Sequence, residues 1–597
     1  MSLLKRFKGI AILFGILFLP LKGWADNRNV LCPVSFENIY IDDFFWYYQF
    51  HAQQQNSLPS IWNRLKVQGF FEGRYQKRDL EDADLYQLLE TMSYINFVEP
   101  DSLLWERLDT LASLVPHELA VNTNCSWLKY PRKESHPLYY QLAAFYRAAL
   151  AYTRSGGQRD LLHWALQNAE QLSRYIVENP KKIRKKDLHP NMVLALGDLY
   201  VLTNNKLLLQ AAEVMLREMS SENWGKEQGY YYAAQAWSSA LNGQNGVLKE
   251  NHNLWKKAVN QTMRVTGGFS VHDTLPVTQI DLLETIANME WCFRLYAATC
   301  DPRCMELYER ILYNELRAAV PYHGNYVAHD LTVGLENNLM RDPIDEVPMG
   351  KLIPLLRNIA VLPDYYYATY QDTCIYINQY FRGEVRIKNK KLDLKLSAMS
   401  SMPWEGGYYI DVLSEQPQSC TFYLRVPAWM TDDCLEDLGR YRFIPVKKHL
   451  RFVVNGKELP IDIENGFLKV SGTWKKNDRI LFDFLSSVRK IVPKESTEYD
   501  TMQVAYQRAP FVFCQEEPDT VFQKHQQTAV CLTEGLAARF ALGLMGGVQT
   551  LEGKLYYLKE DSLQSDAILL TPFFAKGQRG RMNTKIWFPY FIKNNGR

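Results

Sequence analysis

The spacing of apolar residues changes near residue 363 of this 597-residue chain. From about residue 40 to 345, apolar residues recur every three or four positions, as on one face of an α-helix. After residue 363 they alternate with polar residues, as on a strand with one buried face. Examples of the two patterns are Leu138, Leu142, Phe145, Ala149 and Tyr152 before the change, and Leu392, Leu394 and Leu396 after it. We therefore predict a helical N-terminal part and an antiparallel-sheet C-terminal third.

The helical part is predicted to form a double layer of helices. We identify about ten to twelve helical segments joined by short turns, and no fixed-period repeat of the solenoid kind. One segment carries apolar residues on two faces: Leu282, Ile286, Met289, Phe293 and Tyr296 on the first, and Asn288, Trp291 and Leu295 beside Glu284 on the second. A helix that is apolar on two faces is buried on both. These features favour an (α/α)6 barrel over residues 26–363.

The C-terminal part is predicted to contain two β-sandwich domains, at residues 364–493 and 494–597. Asn455-Gly456 and Asn465-Gly466 are strong hairpin-turn dipeptides between alternating segments. The polar run from Lys494 to Asp500 marks the division between the sandwiches. No low-complexity linker separates the helical part from the sheets, so we expect the two parts to pack rigidly together.

Residues 1–25 have the pattern of a secretory signal peptide. A basic start is followed by an apolar run from Gly9 to Leu21 and by Gly23-Trp24-Ala25, a suitable cleavage site. The run is too short for a comfortable membrane span, and no later segment approaches ~18 continuous apolar residues. The expected location is secreted or periplasmic, without a membrane span after cleavage.

Cleavage removes four basic and no acidic residues, which changes the formal charge from +2 to −2. Near-neutrality argues against a nucleic-acid partner.

Two acids lie on consecutive helices that are otherwise apolar, behind a glycine turn. They are Glu284 and Glu309, and the turn is Gly267-Gly268. A buried carboxylate is costly unless it is paired, hydrogen-bonded or used in function. Each feature also has a structural explanation: Glu309 is next to Arg310 and can form an ion pair, and the glycines can be a backbone requirement.

The chain resembles one enzyme family, glycoside hydrolase family 127, the β-L-arabinofuranosidase-like enzymes. The similarity runs through nearly the whole mature chain, with the motifs in the family's order. The motifs are Asp82-Ala83-Asp84, His136-Pro137-Leu138-Tyr139, His189-Pro190, Glu284-Thr285, Leu424-Arg425-Val426-Pro427, Val454-Asn455-Gly456 and Gln507-Arg508-Ala509-Pro510. The resemblance implies an (α/α)6 barrel, a β-rich C-terminal part and hydrolysis of L-arabinofuranose or a related sugar from an oligosaccharide.

The resemblance also implies a zinc-bound cysteine nucleophile, from which this sequence departs. The family has a Glu-Thr-Cys element and a later Cys-Cys pair, and thiolates are good zinc ligands. Here Ile286 follows Glu284-Thr285, and Gly350-Lys351 stands at the position of the Cys-Cys pair. The segment after Gly268 also lacks the family's acid/base glutamate. We therefore expect no metal and no cofactor.

A pair of carboxyl groups suffices for metal-free sugar hydrolysis if one is protonated and the other is ionised. The candidate catalytic residues are Glu284, Glu309 and Asp273, and the candidate substrate-binding residues are Asp82, Asp84, His136, His189 and His272. The N-terminal dipole of a helix is a sufficient explanation for Asp82, and capping is one for His136 and His189.

Two other functions remain open at this point. The fold can have kept a sugar-binding cleft without catalysis, or the chain can be a surface scaffold whose β domains bind glycan. Activity on arabinan or pectic fragments and glycan binding by residues 365–597 distinguish these functions. The sequence leaves open whether the protein is a monomer or a homodimer.

Overall fold

The computed structural model describes residues 30–72, 82–115, 137–270, 279–320, 322–328, 330–332, 342–430, 439–447, 449–494, 502–508, 510–516, 528–560, 562–579 and 583–593. The predicted signal peptide, residues 1–25, lies outside these ranges. The described chain is helical up to Ala360 and mostly sheet from Tyr367 onward. This confirms the expected order of a helical N-terminal part and a sheet C-terminal part.

Within its described residues, the helical part contains thirteen principal helices. They are α1 (Phe44–Ala52), α2 (Leu58–Val67), α3 (Asp82–Val98), α4 (Ser102–Ser113), α5 (Leu138–Arg154), α6 (Arg159–Glu178), α7 (Pro190–Thr203), α8 (Lys206–Glu218), α9 (Gln228–Leu241), α10 (Asn245–Thr262), α11 (Leu282–Thr299), α12 (Pro302–Ile311) and α13 (Met349–Ala360). Helix α12 continues through a π-helical turn, Leu312–Leu316, into Arg317–Ala319. Helices α7 and α12 begin with a proline, which is well tolerated in the first turn of a helix.

Six of these helices form a closed ring. Helix α3 contacts α5, and the contacts continue from α5 to α7, α9, α11, α13 and back to α3. An outer helix packs on each: α4 on α3, α6 on α5, α8 on α7, α10 on α9, α12 on α11, and α1 on α13. Every residue of α11 from Glu284 to Ala297 is buried, as expected for a helix with neighbours on both sides.

The strands are β1 (Cys32–Pro33), β2 (Ile39–Ile41), β3 (Gln279–Asp281), β4 (Tyr326–Val327), β5 (Asp330–Thr332), β6 (Asp342–Pro343), β7 (Tyr367–Tyr370), β8 (Cys374–Ile377), β9 (Gly383–Lys388), β10 (Asp393–Ser400), β11 (Tyr408–Val412), β12 (Gln418–Arg425), β13 (Tyr441–Ile444), β14 (Leu450–Val454), β15 (Lys457–Leu459), β16 (Ile463–Glu464), β17 (Phe467–Trp474), β18 (Arg479–Phe484), β19 (Val488–Pro493), β20 (Gln503–Arg508), β21 (Phe511–Glu516), β22 (Thr528–Cys531), β23 (Ala537–Ala541), β24 (Val548–Lys559), β25 (Ser562–Pro572), β26 (Thr584–Lys585) and β27 (Phe588–Phe591).

The described strands after the helical part belong to three large sheets. The first has the order β1-β7-β8-β12-β17-β16, the second β15-β14-β18-β11-β10-β9-β2, and the third β13-β19-β20-β27-β22-β24-β25-β21-β26 with β23 beside β24. Pairing is antiparallel except for β8 with β12 and β22 with β27. The hairpins predicted at Asn455-Gly456 and Asn465-Gly466 are confirmed, with positive φ at all four residues, as type I′ turns require.

The first strands of the chain belong to the C-terminal sheets. Strand β1 pairs with β7, and β2 pairs with β9. The helical part also contacts the third sheet through Asn314, whose side chain donates to Pro510 O at 2.9 Å and accepts from Val512 N at 2.8 Å. Buried hydrogen bonds of this kind position the sheets against the helical ring. Within the described ranges no helix combines the length and apolar character needed to cross a bilayer.

Candidate active site

The six ring helices begin at the same end of the ring. Contacts between neighbouring helix starts follow the ring around. They are Gln87 Nε2 with Tyr140 Oη at 2.7 Å, the Tyr140 ring with the His189 ring at 4.6 Å, His189 Nε2 with Glu227 Oε2 at 3.4 Å, Lys226 with Asp281, and Asp84 beside Gly350. The positive ends of six helix dipoles thus surround one end of the ring interior.

A cavity lies inside the ring at this end. Five of the six ring helices line it. Its polar lining includes Glu90, Tyr140, Arg147, Asn191, Tyr230 and Arg357. A concave site with convergent polar groups and aromatic walls is typical of small-ligand binding.

Ion pairs make the cavity walls rigid. Arg357 donates to both carboxylate oxygens of Glu90, at 2.6 and 2.8 Å. Burial alone would lower the pKa of Arg357, but Glu90 raises that pKa well above its ordinary value. Behind the lining, Arg294 donates to Asp198 at 2.7 Å and to Glu290 at 2.8 Å. This bidentate geometry holds the side chains in one arrangement.

The cavity walls offer neutral phenols, and an ionised acid lies behind the walls. Burial favours the neutral form of Glu290, but Arg294 and Arg147 outweigh it, so the pKa of Glu290 lies below its ordinary value. Burial raises the pKa of both Tyr140 and Tyr230. At neutral pH the phenols are therefore hydrogen-bond donors, and Glu290 is a carboxylate that cannot act as a general acid.

Glu284 lies in the first turn of α11 and is 3% exposed, which confirms the expected burial. Its Oε1 accepts a hydrogen bond from Ser270 Oγ at 2.7 Å, and its backbone N–H donates to the N-cap Asp281 at 3.1 Å. Glu284 is not among the described residues that line the cavity. It lies at the end of the ring where the six ring helices begin.

Hydrogen bonds to Glu315, which is not among the candidate residues from the sequence, fix the glycine turn before α11. Glu315 accepts from Thr266 Oγ1 at 2.6 Å, from the Gly268 N–H at 3.0 Å and from Arg264 at 3.0 Å. Gly267 has φ +105°, and a Cβ on Gly268 would lie 2.2 Å from Glu315 Oε2. The backbone therefore requires glycine at both positions.

Glu309 is bound at the junction between the helical part and the sheets. Its Oε1 accepts from Trp429 Nε1 at 2.9 Å, and its Oε2 accepts from Arg425. Arg425 is fully buried and also donates to Glu306 at 3.1 Å. Burial raises the pKa of Glu309, and Arg425 opposes this rise. None of these described contacts brings Glu309 to Glu284, and its ion-pair partner is Arg425 rather than the expected Arg310.

The other proposed substrate-binding residues divide into two groups. Asp82 and Asp84 lie in the first turn of α3, and Asp84 is buried. His189 is the N-cap of α7, where its Nδ1 accepts from Asn191 N at 3.2 Å. His136, His272 and Asp273 lie outside the described residues.

The residues at the family's zinc-ligand positions do not fit a thiolate-bound metal. Ile286 is a buried hydrocarbon, Gly350 has no side chain, and Lys351 is an exposed ammonium group. Zinc prefers sulfur and imidazole ligands, and a cation is repelled by an ammonium. Only the Glu284 carboxylate remains from the expected set.

A different group of potential ligands lies on the outer wall of the ring. Within the described part of the chain, one atom each from His252, Asp301 and Cys304 lies within 4.8 Å of the others. Asp301 is already bound by Arg303 at 2.9 and 2.6 Å and accepts from the Arg303 N–H at 3.0 Å. Burial raises the pKa of the Cys304 thiol. The arrangement is therefore a complete ion-paired helix cap.

Sequence reasoning missed the residues that line the cavity, although a signal for them exists. Glu90, Arg147 and Arg357 are charged residues inside helices whose other positions are largely apolar. The free-energy cost of burying a charge made Glu284 a candidate, and the same cost applies to these three residues. Every charged residue on a helix that is apolar on two faces is therefore a candidate for the lining of a cavity.

Comparison with known proteins agrees with this architecture. The family model described as the GH127 catalytic domain of β-L-arabinofuranosidase matches residues 26–332. The GH127 middle-domain model matches residues 374–485, and the family 127 C-terminal-domain model matches residues 488–589. Three consecutive models thus cover most of the chain in the expected order.

Similar proteins come from the same family. A non-reducing end β-L-arabinofuranosidase of Bifidobacterium longum subsp. longum is 22% identical, over 84% of this chain and 85% of that protein. A GH127 β-arabinofuranosidase structure has a TM-score of 0.80 at 22% identity, covering 95% of this chain and 99% of its own. A GH127 β-L-arabinofuranosidase from Geobacillus stearothermophilus T6 has a TM-score of 0.77 at 18% identity, over 93% and 100%. The chain therefore belongs to glycoside hydrolase family 127 and is a glycoside hydrolase.

Proposed function

We propose that the protein is an exported, zinc-independent glycosidase that removes L-arabinofuranose or a related sugar from oligosaccharides. The observation that carries the proposal is the polar cavity at the helix starts of a domain that matches the family's catalytic model. Relatives named as β-L-arabinofuranosidases support the choice of sugar. The basic, apolar and small-residue pattern of residues 1–25 supports export to a secreted or periplasmic location.

The proposed chemistry uses carboxyl groups. Glu284 is our first catalytic residue, supported by its burial at the N-terminus of a ring helix and by its hydrogen bond from Ser270. Asp273, which precedes it in the chain, is the second. Asp82, Asp84, His136, His189 and His272 are proposed to contact substrate. Glu309 receives a structural role, because Arg425 and Trp429 account for its burial.

The proposal assigns the helical part, residues 26–363, to the (α/α)6-barrel class. Support comes from the closed ring of six helices and the outer helix on each. The division of the C-terminal part at residues 493 and 494 stays a prediction. Strands β13 and β19, which end before that division, pair within the third sheet.

A second candidate function is a sugar-binding homologue without catalysis. The observation that favours it is the replacement of the metal-ligand positions by Ile286, Gly350 and Lys351. A protein of this kind keeps the cavity and binds sugar but releases none.

The test measures sugar release from arabinose- and rhamnose-containing oligosaccharides by wild type, Glu284→Gln and a control, Glu534→Gln. Glu534 lies on the third-sheet surface and pairs with Lys593 at 2.7 Å. We expect Glu284→Gln to lower the rate by about 10²–10⁴-fold, as loss of a general acid or base does. The control should retain the wild-type rate. Equal rates for wild type and Glu284→Gln refute the assignment. An inert wild type that still binds sugar establishes the second function.

A further inference from the structure

Among the described residues, two side chains that line the ring cavity each carry a buried polar atom without a hydrogen-bond partner. Asn191 Oδ1 and Arg147 Nη2 are both buried without one, and both residues line the cavity. Asn191 is 6% exposed. The Arg357 and Glu90 side chains of the same cavity, by contrast, satisfy each other. Buried polar groups in native proteins are nearly always paired, so these two atoms need an explanation.

The two residues are held in place around the unpaired atoms. Asn191 lies in the first turn of α7, and its backbone N–H is fixed by His189 Nδ1 at 3.2 Å. Arg147 lies on the neighbouring ring helix α5, one turn beyond Ala144, which also lines the cavity. Unpaired polar atoms that rigid helices hold beside a cavity are suited to a preorganised binding site.

The chemistry of the two atoms selects the ligand. Asn191 Oδ1 is an acceptor and requires a donor, whereas Arg147 Nη2 is a donor and requires an acceptor. A carboxylate or phosphate would satisfy Arg147 but would face Asn191 with a second acceptor. A hydroxyl group both donates and accepts, and a pair of sugar hydroxyls supplies what both atoms lack. The rings of Tyr140 and Tyr230, which also line the cavity, add apolar faces.

We propose that Arg147 and Asn191 bind the hydroxyl groups of one neutral sugar unit inside the ring and select it against anionic sugars. This inference rests on the proposed glycosidase function and names residues that determine its specificity. A polar atom without a hydrogen-bond partner lowers the stability of the free protein. The ligand supplies the missing partner when it binds.

The test compares Asn191→Leu and Arg147→Met with wild type. Binding of free L-arabinose and of D-glucuronate is measured by isothermal titration calorimetry, and kcat/KM is measured with the best oligosaccharide. We expect wild type to prefer L-arabinose. Each variant should lose about 10- to 100-fold in affinity and in kcat/KM, as a lost hydrogen-bond partner in a polar pocket does.

Thermal stability separates a binding role from a structural one. Asn191→Leu should keep or raise Tm, because it removes an unpaired buried acceptor. The matched control is Asn251→Leu. Asn251 is fully buried, donates to Tyr232 O at 2.9 Å and accepts from Trp291 Nε1 at 2.8 Å, so its replacement should lower Tm.

The outcomes distinguish this inference from the proposed function. Unchanged affinity in Asn191→Leu, a Tm loss equal to that of Asn251→Leu, preference for glucuronate, or no sugar binding by wild type each overturns the inference. Hydrolysis by wild type with unchanged kcat/KM in both variants also overturns it and leaves the glycosidase proposal intact. Asn191-dependent sugar binding without hydrolysis supports the inference and refutes the catalytic proposal.

Discussion

Replacing Arg425 tests how the helical part is joined to the sheets. Arg425 is fully buried and donates to Asn378 O at 2.7 Å, to Glu306 at 3.1 Å and to Glu309. Arg425→Met leaves two acids that are 3% and 2% exposed without their cation. Removing one partner of a buried ion pair costs about 3–5 kcal/mol. We expect a loss of this size at pH 7, measured as a shift of the urea unfolding curve by tryptophan fluorescence.

The loss should depend on pH in a defined direction. Burial raises the pKa of Glu309, so the folded protein holds this proton more tightly than the unfolded chain does. The contribution of Glu309 to stability is therefore present at pH below its unfolded pKa and is lost as the pH rises through the folded pKa. Without Arg425 the folded pKa rises further. The loss caused by Arg425→Met should therefore be smaller at pH 5 than at pH 7.

An exposed arginine provides the matched control. Arg451 pairs with Glu458 at 3.2 Å, with side chains that are 48% and 64% exposed. Exposed pairs contribute about 0–1 kcal/mol, so Arg451→Met should change the unfolding curve little at either pH. The reasoning is refuted if Arg425→Met costs no more than Arg451→Met, or if its cost is larger at pH 5 than at pH 7.

Three further predictions concern the glycine turn, the metal and the N-terminus. Gly268→Ala should lower stability by about 1–3 kcal/mol in urea unfolding, because a Cβ there would lie 2.2 Å from Glu315 Oε2. Gly246→Ala, in α10 with open space around it, should stabilise by about 0.4–1 kcal/mol; equal effects of both changes contradict the packing argument. Dialysis against a chelator should leave sugar release unchanged, and a loss restored by zinc refutes the metal-free proposal. Mass spectrometry of exported protein should find a mature chain beginning at Asp26, and an intact Met1 in that material contradicts signal cleavage.

Local patterns predicted the features that depend on neighbours in sequence. The change of apolar period located the helical and sheet parts, and the Asn-Gly dipeptides located two hairpins because their positive φ angles are a local requirement. The apolar faces on both sides of Glu284 predicted its burial. Each of these inferences uses residues within about two helical turns or one hairpin.

Features that depend on distant residues were not predictable in this way. Glu309 pairs with Arg425, 116 residues away, and Glu90 pairs with Arg357, 267 residues away. Strand β1 has only two residues and pairs with a strand that follows the whole helical part. No local period marks such a strand, and no single sequence identifies the partner of a buried charge. The cavity consists of such long-range contacts, which is why its lining was missed.

A crystal structure of Glu284→Gln soaked with L-arabinose tests the central claim most directly. The account predicts one sugar inside the ring, with hydroxyl groups within hydrogen-bond distance of Arg147 and Asn191 and with the carboxamide at residue 284 nearby. Sugar bound only on the C-terminal sheets, or a zinc ion held at the helix starts, would contradict the account.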